Sequence, residues 1–211
     1  MTTKRGLFLD LDGTLADSLP VMRGIYGAFL AHYGVQGCDE EFQRLNGPPL
    51  NKVCEYLKQT HGLVEGLALL QARYEGLLKE APAQISPAQG AKEVLEWAKQ
   101  KGWSIVVVTS SAHAHTQTWL EQCALSPWID GIVGGDDVVQ GKPHPEPYLQ
   151  GINMIQADID RSLAVEDSLQ GAQAALQAGL KTLRILPEPS HASGVSNLYE
   201  IASFQQLIKH L

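Results

Sequence analysis

Four short apolar runs, rich in β-branched residues, constrain the fold more than any other feature of this 211-residue chain. Near-continuous apolar runs of this length are typical of strands that are buried on both faces of a parallel sheet. A weaker fifth run lies between the second and the third of them. In chain order the five runs span residues 7–9, 104–108, 129–133, 163–165 and 182–186. We expect these segments to form one parallel sheet.

Helical patterns lie between or after these runs, at residues 90–101, 168–179 and 203–211. The first is followed by Gly102, a typical helix stop, and the second begins with Ser168, a good N-cap. The third opens with Ser203 and Gln206 at the spacing of a capping box. Because strand and helix alternate, the sequence predicts an α/β, doubly wound (Rossmann-like) domain with a parallel sheet.

The alternation is interrupted after the first run. Residues from about 19 to 79 contain helical patterns and no credible strand. Residues 81–87, which follow them, have the composition of a linker. We therefore expect an inserted, all-helical cap subdomain at 18–81 and an α/β core at 1–17 and 82–211.

Composition and charge exclude several classes of protein. The chain is 44% hydrophobic and 18% charged, as globular proteins are, and its formal net charge of -7 argues against nucleic-acid binding. Cys38, Cys54 and Cys123 form neither a CxxC pair nor a disulfide framework, which indicates a reducing compartment. No stretch approaches the roughly 20 apolar residues of a membrane span, and too few apolar residues precede Asp10 for a signal peptide. We expect a cytoplasmic protein without a membrane partner.

Polar side chains follow the predicted strands at their carboxyl ends, where open parallel sheets bind ligands. These residues are Asp10 and Asp12 after the run at 7–9, Thr109 and Ser110 after the run at 104–108, Lys142 in the loop after the weaker run at 129–133, and Glu166 and Asp167 after the run at 163–165. Clustered carboxylates repel one another unless a cation holds them, and hard oxygen ligands select Mg²⁺. The sequence therefore predicts a magnesium site.

A phosphoryl group is the expected partner of that magnesium, because Mg²⁺ keeps several waters and is commonly shared with a phosphate. Thr109 and Ser110 offer hydroxyl and backbone N–H donors to phosphoryl oxygens, and Lys142 offers a positive charge. Phosphate monoesters are among the most inert biological esters, so their hydrolysis needs such dense charge stabilisation.

Four segments resemble, in order and spacing, the signature motifs of the haloacid dehalogenase superfamily. They are Asp10 to Thr14, Val107 to Ser110, Gly141 to Pro143 and Val165 to Ser168. Each motif alone is a weak signal, but all four coincide with strand ends or loops assigned from the apolar runs. The resemblance spans the whole chain.

The resemblance implies covalent catalysis, which splits one hard step into two. It implies that Asp10 attacks phosphorus to form an aspartyl-phosphate, and that Asp12 protonates the leaving oxygen and then activates water. It also implies that Mg²⁺ is held by a carboxylate oxygen of Asp10, the backbone carbonyl of Asp12 and the carboxylate of Asp167, with Glu166 as a further candidate ligand. Lys142 would orient Asp10 and offset its charge.

The family also suggests a substrate class. Its phosphate enzymes carry an acid at the position of Asp12, which its dehalogenases lack. The helical insertion resembles the family's small cap domain, which closes over the pocket and excludes water and large substrates. The resemblance therefore implies a small phosphorylated metabolite as the substrate.

Features of the insertion weigh against one alternative, a phosphosugar mutase or other phosphoryl-transfer enzyme of the same family. The related β-phosphoglucomutases place His and Arg where this chain has Met22 and Leu50. The segment 46–50 instead resembles the cap loop of phosphoglycolate-phosphatase-like members. Arg23, Asn46 and Lys52 are candidates to contact the distal end of the substrate, although a solvated cap face explains them equally well.

Two alternatives from other classes stay open. Signalling receivers also phosphorylate a strand-end aspartate beside Mg²⁺, a hydroxyl and a lysine. They place the acidic pair on the first strand and the acceptor on a later one, however, and they lack a cap-sized insertion. A non-catalytic protein that retains the fold is the second alternative.

Overall fold

The chain divides into two compact units in the computed structural model, which describes residues 4–79, 85–186, 189 and 195–211. One unit comprises Met1–Asp17 and Ser86–Leu211, and the other is the insertion Ser18–Ile85. The predicted boundary between residues 81 and 82, and part of the predicted linker, lie outside the described residues.

The chain leaves the first unit and returns to it through two adjacent segments. The Asp17 N–H donates to the Ser86 carbonyl and the Ala88 N–H to the Leu15 carbonyl, both at 2.9 Å. Between these bonds, Ala16 forms an antiparallel bridge with Pro87. The two connections are thus paired backbone to backbone.

The first unit contains a parallel sheet of six strands in the order β3-β2-β1-β4-β5-β6. The strands are β1 (Arg5–Leu9), β2 (Trp103–Val108), β3 (Gly131–Val133), β4 (Leu163–Glu166), β5 (Lys181–Ile185) and β6 (Leu198–Ile201). Every pairing is parallel. The predicted α/β fold class, with its doubly wound parallel sheet, is confirmed.

Strand β1 lies in the middle of the sheet, and its register fixes which residues meet at the carboxyl edge. Leu9 pairs with Val107 of β2 on one side and with Val165 of β4 on the other. The strands are buried because Phe8, Val106 and other apolar side chains pack into one core cluster with the neighbouring helices. The residues directly after these strands therefore share one edge of the sheet.

The insertion is helical throughout its described elements. Its helices are α1 (Leu19–His32), α2 (Asp39–Leu45), α3 (Leu50–His61) and α4 (Leu67–Lys79). Each of three helices buries one apolar stripe: Ile25, Tyr26, Phe29 and Leu30 in α1, Val53, Cys54 and Leu57 in α3, and Leu70 and Tyr74 in α4. Their spacing of three and four residues is what buries one stripe of each helix.

The helices of the first unit follow the predicted strands. They are α5 (Ala91–Gln100), α6 (His113–Gln122), α7 (Glu146–Ile155) and α8 (Leu169–Gln177). Gly102 follows α5 with a φ of +78°, as a helix stop requires. Ser168 caps α8, and its hydroxyl accepts a hydrogen bond from the Gly171 N–H. Both predicted helix signals therefore act as expected.

The end of the chain differs from the sequence prediction. Strand β6 was not predicted, and residues Phe204–Lys209 form a 3₁₀ helix in which Ser203 makes no side-chain capping bond. Phe204 and Leu207 are both buried, and a spacing of three residues matches one turn of a 3₁₀ helix. The predicted capping box at Ser203 and Gln206 was wrong. Instead, the Gln206 side chain accepts from the Ala202 N–H.

Among the described residues, no helix combines the length and the apolar composition needed to cross a bilayer.

Candidate active site

Asp10 lies directly after the central strand β1 and is buried, with 6% of its surface exposed. Its N–H donates to the Val165 carbonyl of β4 at 2.9 Å. The chain then turns sharply: the Thr14 N–H donates to the Leu11 carbonyl, and Gly13 has a φ of +83°, a conformation that favours glycine. This turn keeps Asp12 at the carboxyl edge of the sheet, next to Asp10.

Lys142 is buried beside Asp10, with 4% of its surface exposed. Its ammonium donates to Asp10 Oδ1 at 2.6 Å, to Glu166 Oε1 at 2.5 Å and to the Val108 carbonyl at 2.9 Å. An ammonium has three N–H donors, so each of them has a protein acceptor. Direct binding of a phosphate by Lys142, which the sequence predicts, would require one of these acceptors to be displaced.

The ionisation of Lys142 is set by its two carboxylate neighbours. Burial alone would lower the pKa of its ammonium, but the charges and hydrogen bonds of Asp10 and Glu166 outweigh burial and raise the pKa above its usual value. Lys142 therefore stays positively charged at physiological pH.

A cluster of carboxylates fits a divalent cation. Asp10, Glu166 and Asp167 each offer an oxygen, and these oxygens lie within 4.8 Å of one another. Burial raises the pKa of Asp10 well above its usual value; Lys142 opposes this, while the charges of Glu166 and Asp167 add to it. A cation among these oxygens would favour the charged form, and an all-oxygen donor set suits Mg²⁺. Three of the predicted ligands, Asp10, Glu166 and Asp167, thus form a donor set that fits the predicted metal, while the contact of the Asp12 carbonyl stays a prediction.

Glu166 is fully buried and heavily hydrogen-bonded. Its Oε1 accepts from the Tyr148 hydroxyl at 2.5 Å as well as from Lys142, and its Oε2 accepts from the Ser168 hydroxyl at 3.2 Å. A Cβ at Gly171 would lie 2.1 Å from its carboxyl group, so the first turn of α8 packs directly against it. Tyr148 was not predicted from the sequence as part of the site.

Hydroxyl groups from the end of β2 face the same edge. Thr109 is buried, and its Oγ1 accepts from the Ser111 N–H at 3.0 Å. Ser111 Oγ in turn donates to Asp12 Oδ2 at 2.7 Å. Gly135 holds this loop, because its N–H donates to the Ser111 carbonyl at 2.8 Å. The structure therefore connects Thr109, one of the two predicted hydroxyl ligands of the phosphate, to the predicted general acid Asp12 through Ser111.

Arg184 of β5 supports the other side of the site. Its guanidinium donates to the Asp167 carbonyl at 3.1 and 3.4 Å and lies 3.9 Å from the carboxylate of Glu200 on β6. The sequence prediction missed Arg184 and Ser111. Ser111 stood beside two predicted phosphate ligands, whereas Arg184 carried no motif signal.

Two of the three candidate substrate contacts of the insertion, Arg23 and Lys52, pair with residues of that unit. Arg23 pairs with Asp39 at 2.7 Å and lies over the Tyr26 ring, and Lys52 pairs with Glu55 at 2.8 Å. Asn46 ends α2. Their role in substrate binding stays a prediction.

Comparison with known proteins identifies the family, since the sequence model of the haloacid dehalogenase-like hydrolase family matches residues 7–185. The chain belongs to this family. The family predicted from the four motifs is thus confirmed, and the hydrolase class follows from it.

Relatives with named activities are similar over most of the chain. A phosphorylated carbohydrates phosphatase of Thermotoga maritima is 27% identical over 185 residues, which cover 84% of this chain and 82% of the relative. The fructose-1-phosphate phosphatase YqaB of Escherichia coli is 25% identical over 181 residues, which cover 85% of this chain and 95% of the relative.

A solved structure shows the same fold. A predicted phosphoglycolate phosphatase from Haemophilus somnus superposes with a TM-score of 0.83 at 20% identity, and the match covers 100% of this chain and 99% of that one.

Proposed function

We propose that this hydrolase is a magnesium-dependent phosphatase that cleaves a small phosphate monoester through an aspartyl-phosphate on Asp10. The observation that carries the proposal is the buried arrangement of Asp10, its ammonium partner Lys142 and two further carboxylates at one edge of the sheet. A carboxylate held beside a fixed positive charge and a candidate cation site is suited to attack phosphorus.

The first chemical step forms the aspartyl-phosphate. A carboxylate oxygen of Asp10 attacks phosphorus, the bond from phosphorus to the ester oxygen breaks, and Asp12 gives its proton to that leaving oxygen. Ser111 fixes the position of Asp12, because its hydroxyl donates to Asp12 Oδ2 at 2.7 Å. A general acid must stand within hydrogen-bond reach of its target, so this bond limits where Asp12 can act.

The second step reverses these roles. Asp12, now a carboxylate, accepts a proton from water while the water oxygen attacks phosphorus. The bond between phosphorus and Asp10 breaks, so that phosphate leaves and both aspartates are restored. In the proposed mechanism, Asp12 thus serves as the general acid in the first step and as the general base in the second.

The remaining residues of the site would bind Mg²⁺, orient Asp10 and stabilise the charge of the phosphoryl group. Asp10, Asp167 and the Asp12 carbonyl would hold Mg²⁺, with Glu166 as a further candidate. Bound Mg²⁺ supplies positive charge that neutralises phosphoryl oxygens. Lys142 orients Asp10 and offsets its charge, while Thr109 and Ser110 would donate to the phosphoryl group.

Phosphorylated carbohydrates are the substrate class that we propose first. Two relatives that align with over four fifths of this chain are named for phosphatase activity on phosphorylated carbohydrates and on fructose 1-phosphate. The net charge of -7 makes a large polyanionic substrate unfavourable, whereas a single phosphate can bind at a local cation cluster.

A phosphate-release assay tests this proposal. We expect Mg²⁺-dependent turnover of a generic aryl phosphate, lost on addition of EDTA. In a panel of sugar phosphates, phosphoglycolate and nucleotides, we expect the highest kcat/KM among the sugar phosphates. Absence of Mg²⁺-dependent phosphate release from every member of the panel would refute the phosphatase proposal. A preference for phosphoglycolate or nucleotides would refute the substrate class alone.

Replacing Asp12 by asparagine should stop turnover without loss of metal. Its carboxylate is the proposed acid and base, whereas its proposed contact with Mg²⁺ is the backbone carbonyl. We expect kcat to fall by about 10²–10⁴-fold, with the Mg²⁺ affinity from calorimetry within about threefold of wild type. The matched variant Asp167→Asn should instead weaken Mg²⁺ binding. If Asp12→Asn weakens it equally, this division of roles is wrong.

A further inference from the structure

A buried tyrosine outside the four sequence motifs contacts the centre of the site. Tyr148 is fully buried in α7. Its hydroxyl donates to Glu166 Oε1 at 2.5 Å, and the same oxygen accepts from Lys142 at 2.5 Å. Its ring centre also lies 5.5 Å from the Lys142 ammonium. Tyr148 therefore contacts both Lys142 and Glu166, the ion pair next to Asp10.

Two carboxylates compete for the Lys142 ammonium. Asp10 accepts at 2.6 Å and Glu166 at 2.5 Å, and the third proton of Lys142 is held by the Val108 carbonyl. Glu166 is completely removed from solvent, so its charge must be satisfied by protein donors. Each further hydrogen-bond donor to Glu166 weakens the interaction between its carboxylate and the Lys142 ammonium.

The Tyr148 hydroxyl is such a donor, and it acts on the oxygen that also contacts Lys142. A carboxylate oxygen can only accept, so the hydroxyl is the donor in this bond. With this hydrogen bond in place, the Glu166 carboxylate interacts less strongly with the Lys142 ammonium, and the ammonium interacts more strongly with Asp10.

Tyr148 and Lys142 are also close together in the chain. Lys142 lies in the loop before α7, and Tyr148 lies in the first turn of that helix. The loop is fastened to the helix start, because the Val139 and Gln140 N–H groups donate to the Glu146 carboxylate at 2.8 and 3.1 Å. A shift of α7 would therefore move both Lys142 and the donor to Glu166.

We propose that Tyr148 is a positioning residue, which acts through Glu166 to hold the Lys142 ammonium close to Asp10. The catalytic consequence rests on the proposed phosphatase function. The geometric consequence, the place of the ammonium between two carboxylates, does not.

The test is Tyr148→Phe, which removes the hydroxyl and keeps the ring. We expect kcat for an aryl phosphate to fall about tenfold, as the loss of a charge-assisted hydrogen bond predicts, with KM within about twofold. Tyr26→Phe is the matched control, because Tyr26 is also buried and donates to a buried glutamate, Glu41, in the insertion. It should leave kcat within about twofold of wild type. If the two variants have the same kcat, the proposal is refuted.

A double-variant cycle separates positioning from general support of the fold. If Tyr148 acts through Glu166, adding Tyr148→Phe to Glu166→Gln should lower kcat by less than about twofold. A further tenfold loss in that background would show that Tyr148 acts independently of Glu166, and would overturn the proposal.

A measurement without turnover keeps the geometry testable on its own. In protein with ¹⁵N-labelled lysine, the Lys142 ammonium signal is assigned by its loss in Lys142→Met. We expect Tyr148→Phe to shift this signal and Tyr26→Phe to leave it in place. An unshifted signal in Tyr148→Phe refutes the positioning role. If wild type has no phosphatase activity, the proposed function fails while this signal still decides the role of Tyr148.

Discussion

Phosphate-monoester hydrolysis should fall by at least about 10⁴-fold when Asp10 is replaced by asparagine, because the amide can form no phosphoenzyme. The side chain keeps its size, so the end of β1 need not move. The expected result is loss of kcat at saturating Mg²⁺ and substrate, together with loss of an acid-stable, hydroxylamine-sensitive phosphoryl group that rapid quenching traps on wild type. Both are measured with ³²P-labelled substrate.

A matched control distinguishes this effect from a general loss of acidic charge. Asp160 is an exposed aspartate in a 3₁₀ turn of the same unit, and Asp160→Asn should keep wild-type kcat. If Asp10→Asn retains more than a few per cent of wild-type kcat, Asp10 is not the nucleophile, and the proposed mechanism must be abandoned.

The largest effect on stability is expected from Lys142→Met, which replaces the buried ammonium by an apolar chain of similar length. Removing one partner of a buried ion pair leaves an uncompensated charge, and this costs about 3–5 kcal/mol. Here the loss leaves two carboxylates, Asp10 and Glu166, without their shared cation. Urea unfolding in EDTA, so that no metal compensates, should show a lowered midpoint with an unchanged slope.

The control for this variant is Lys99→Met. Lys99 pairs with Asp130 at 2.8 Å, close to the distances of Lys142, but its side chain is 32% exposed. A solvent-screened pair contributes about 0–1 kcal/mol, so this variant should unfold near the wild-type midpoint. Equal losses in the two variants would contradict the importance that we give to burial.

The stability deficit of Lys142→Met should depend on pH in a defined direction. Burial already raises the pKa of Asp10, and loss of Lys142 removes the interaction that lowers it. A carboxyl whose pKa is higher in the folded state stabilises the fold when protonated and loses that contribution as the pH rises. The deficit should therefore be largest near neutral pH and shrink as the pH falls through the raised pKa of Asp10, because Asp10 then becomes protonated in the folded state of both proteins. A deficit that grows on acidification would contradict this assignment.

The sequence predicts the centre of the sheet well, for a physical reason. Strands β1, β2 and β4 each contain a continuous run of buried apolar residues, at 7–9, 105–108 and 163–165. Because the strands are parallel neighbours, their carboxyl ends meet at one edge of the sheet. This is why Asp10, Thr109 and Glu166 are found at one edge of the sheet. Strand β6 was missed because it forms the edge of the sheet. Its polar and partly exposed residues, such as Tyr199, carry no continuous apolar signal.

The supporting side chains could not be predicted in the same way. Tyr148 lies in a helix, where the sequence pattern indicates only that a tyrosine on the apolar face packs against the core. Its hydrogen bond to Glu166 joins residues 18 positions apart, so no local pattern predicts it. Arg184 and Ser111 likewise act through contacts that depend on strand order and loop conformation. Local patterns show which residues carry reactive groups, whereas the partners that orient those groups follow from tertiary structure.

The paired connections at residues 15–17 and 86–88 have a consequence for how such a chain can diversify. Because the core backbone hydrogen-bonds to itself across the point where the insertion begins and ends, the two ends are already within reach of a short turn. Segments of different length and shape can therefore be exchanged there without altering the register of β1, on which Asp10 depends. The insertion can then change in evolution while the backbone that carries Asp10 stays the same.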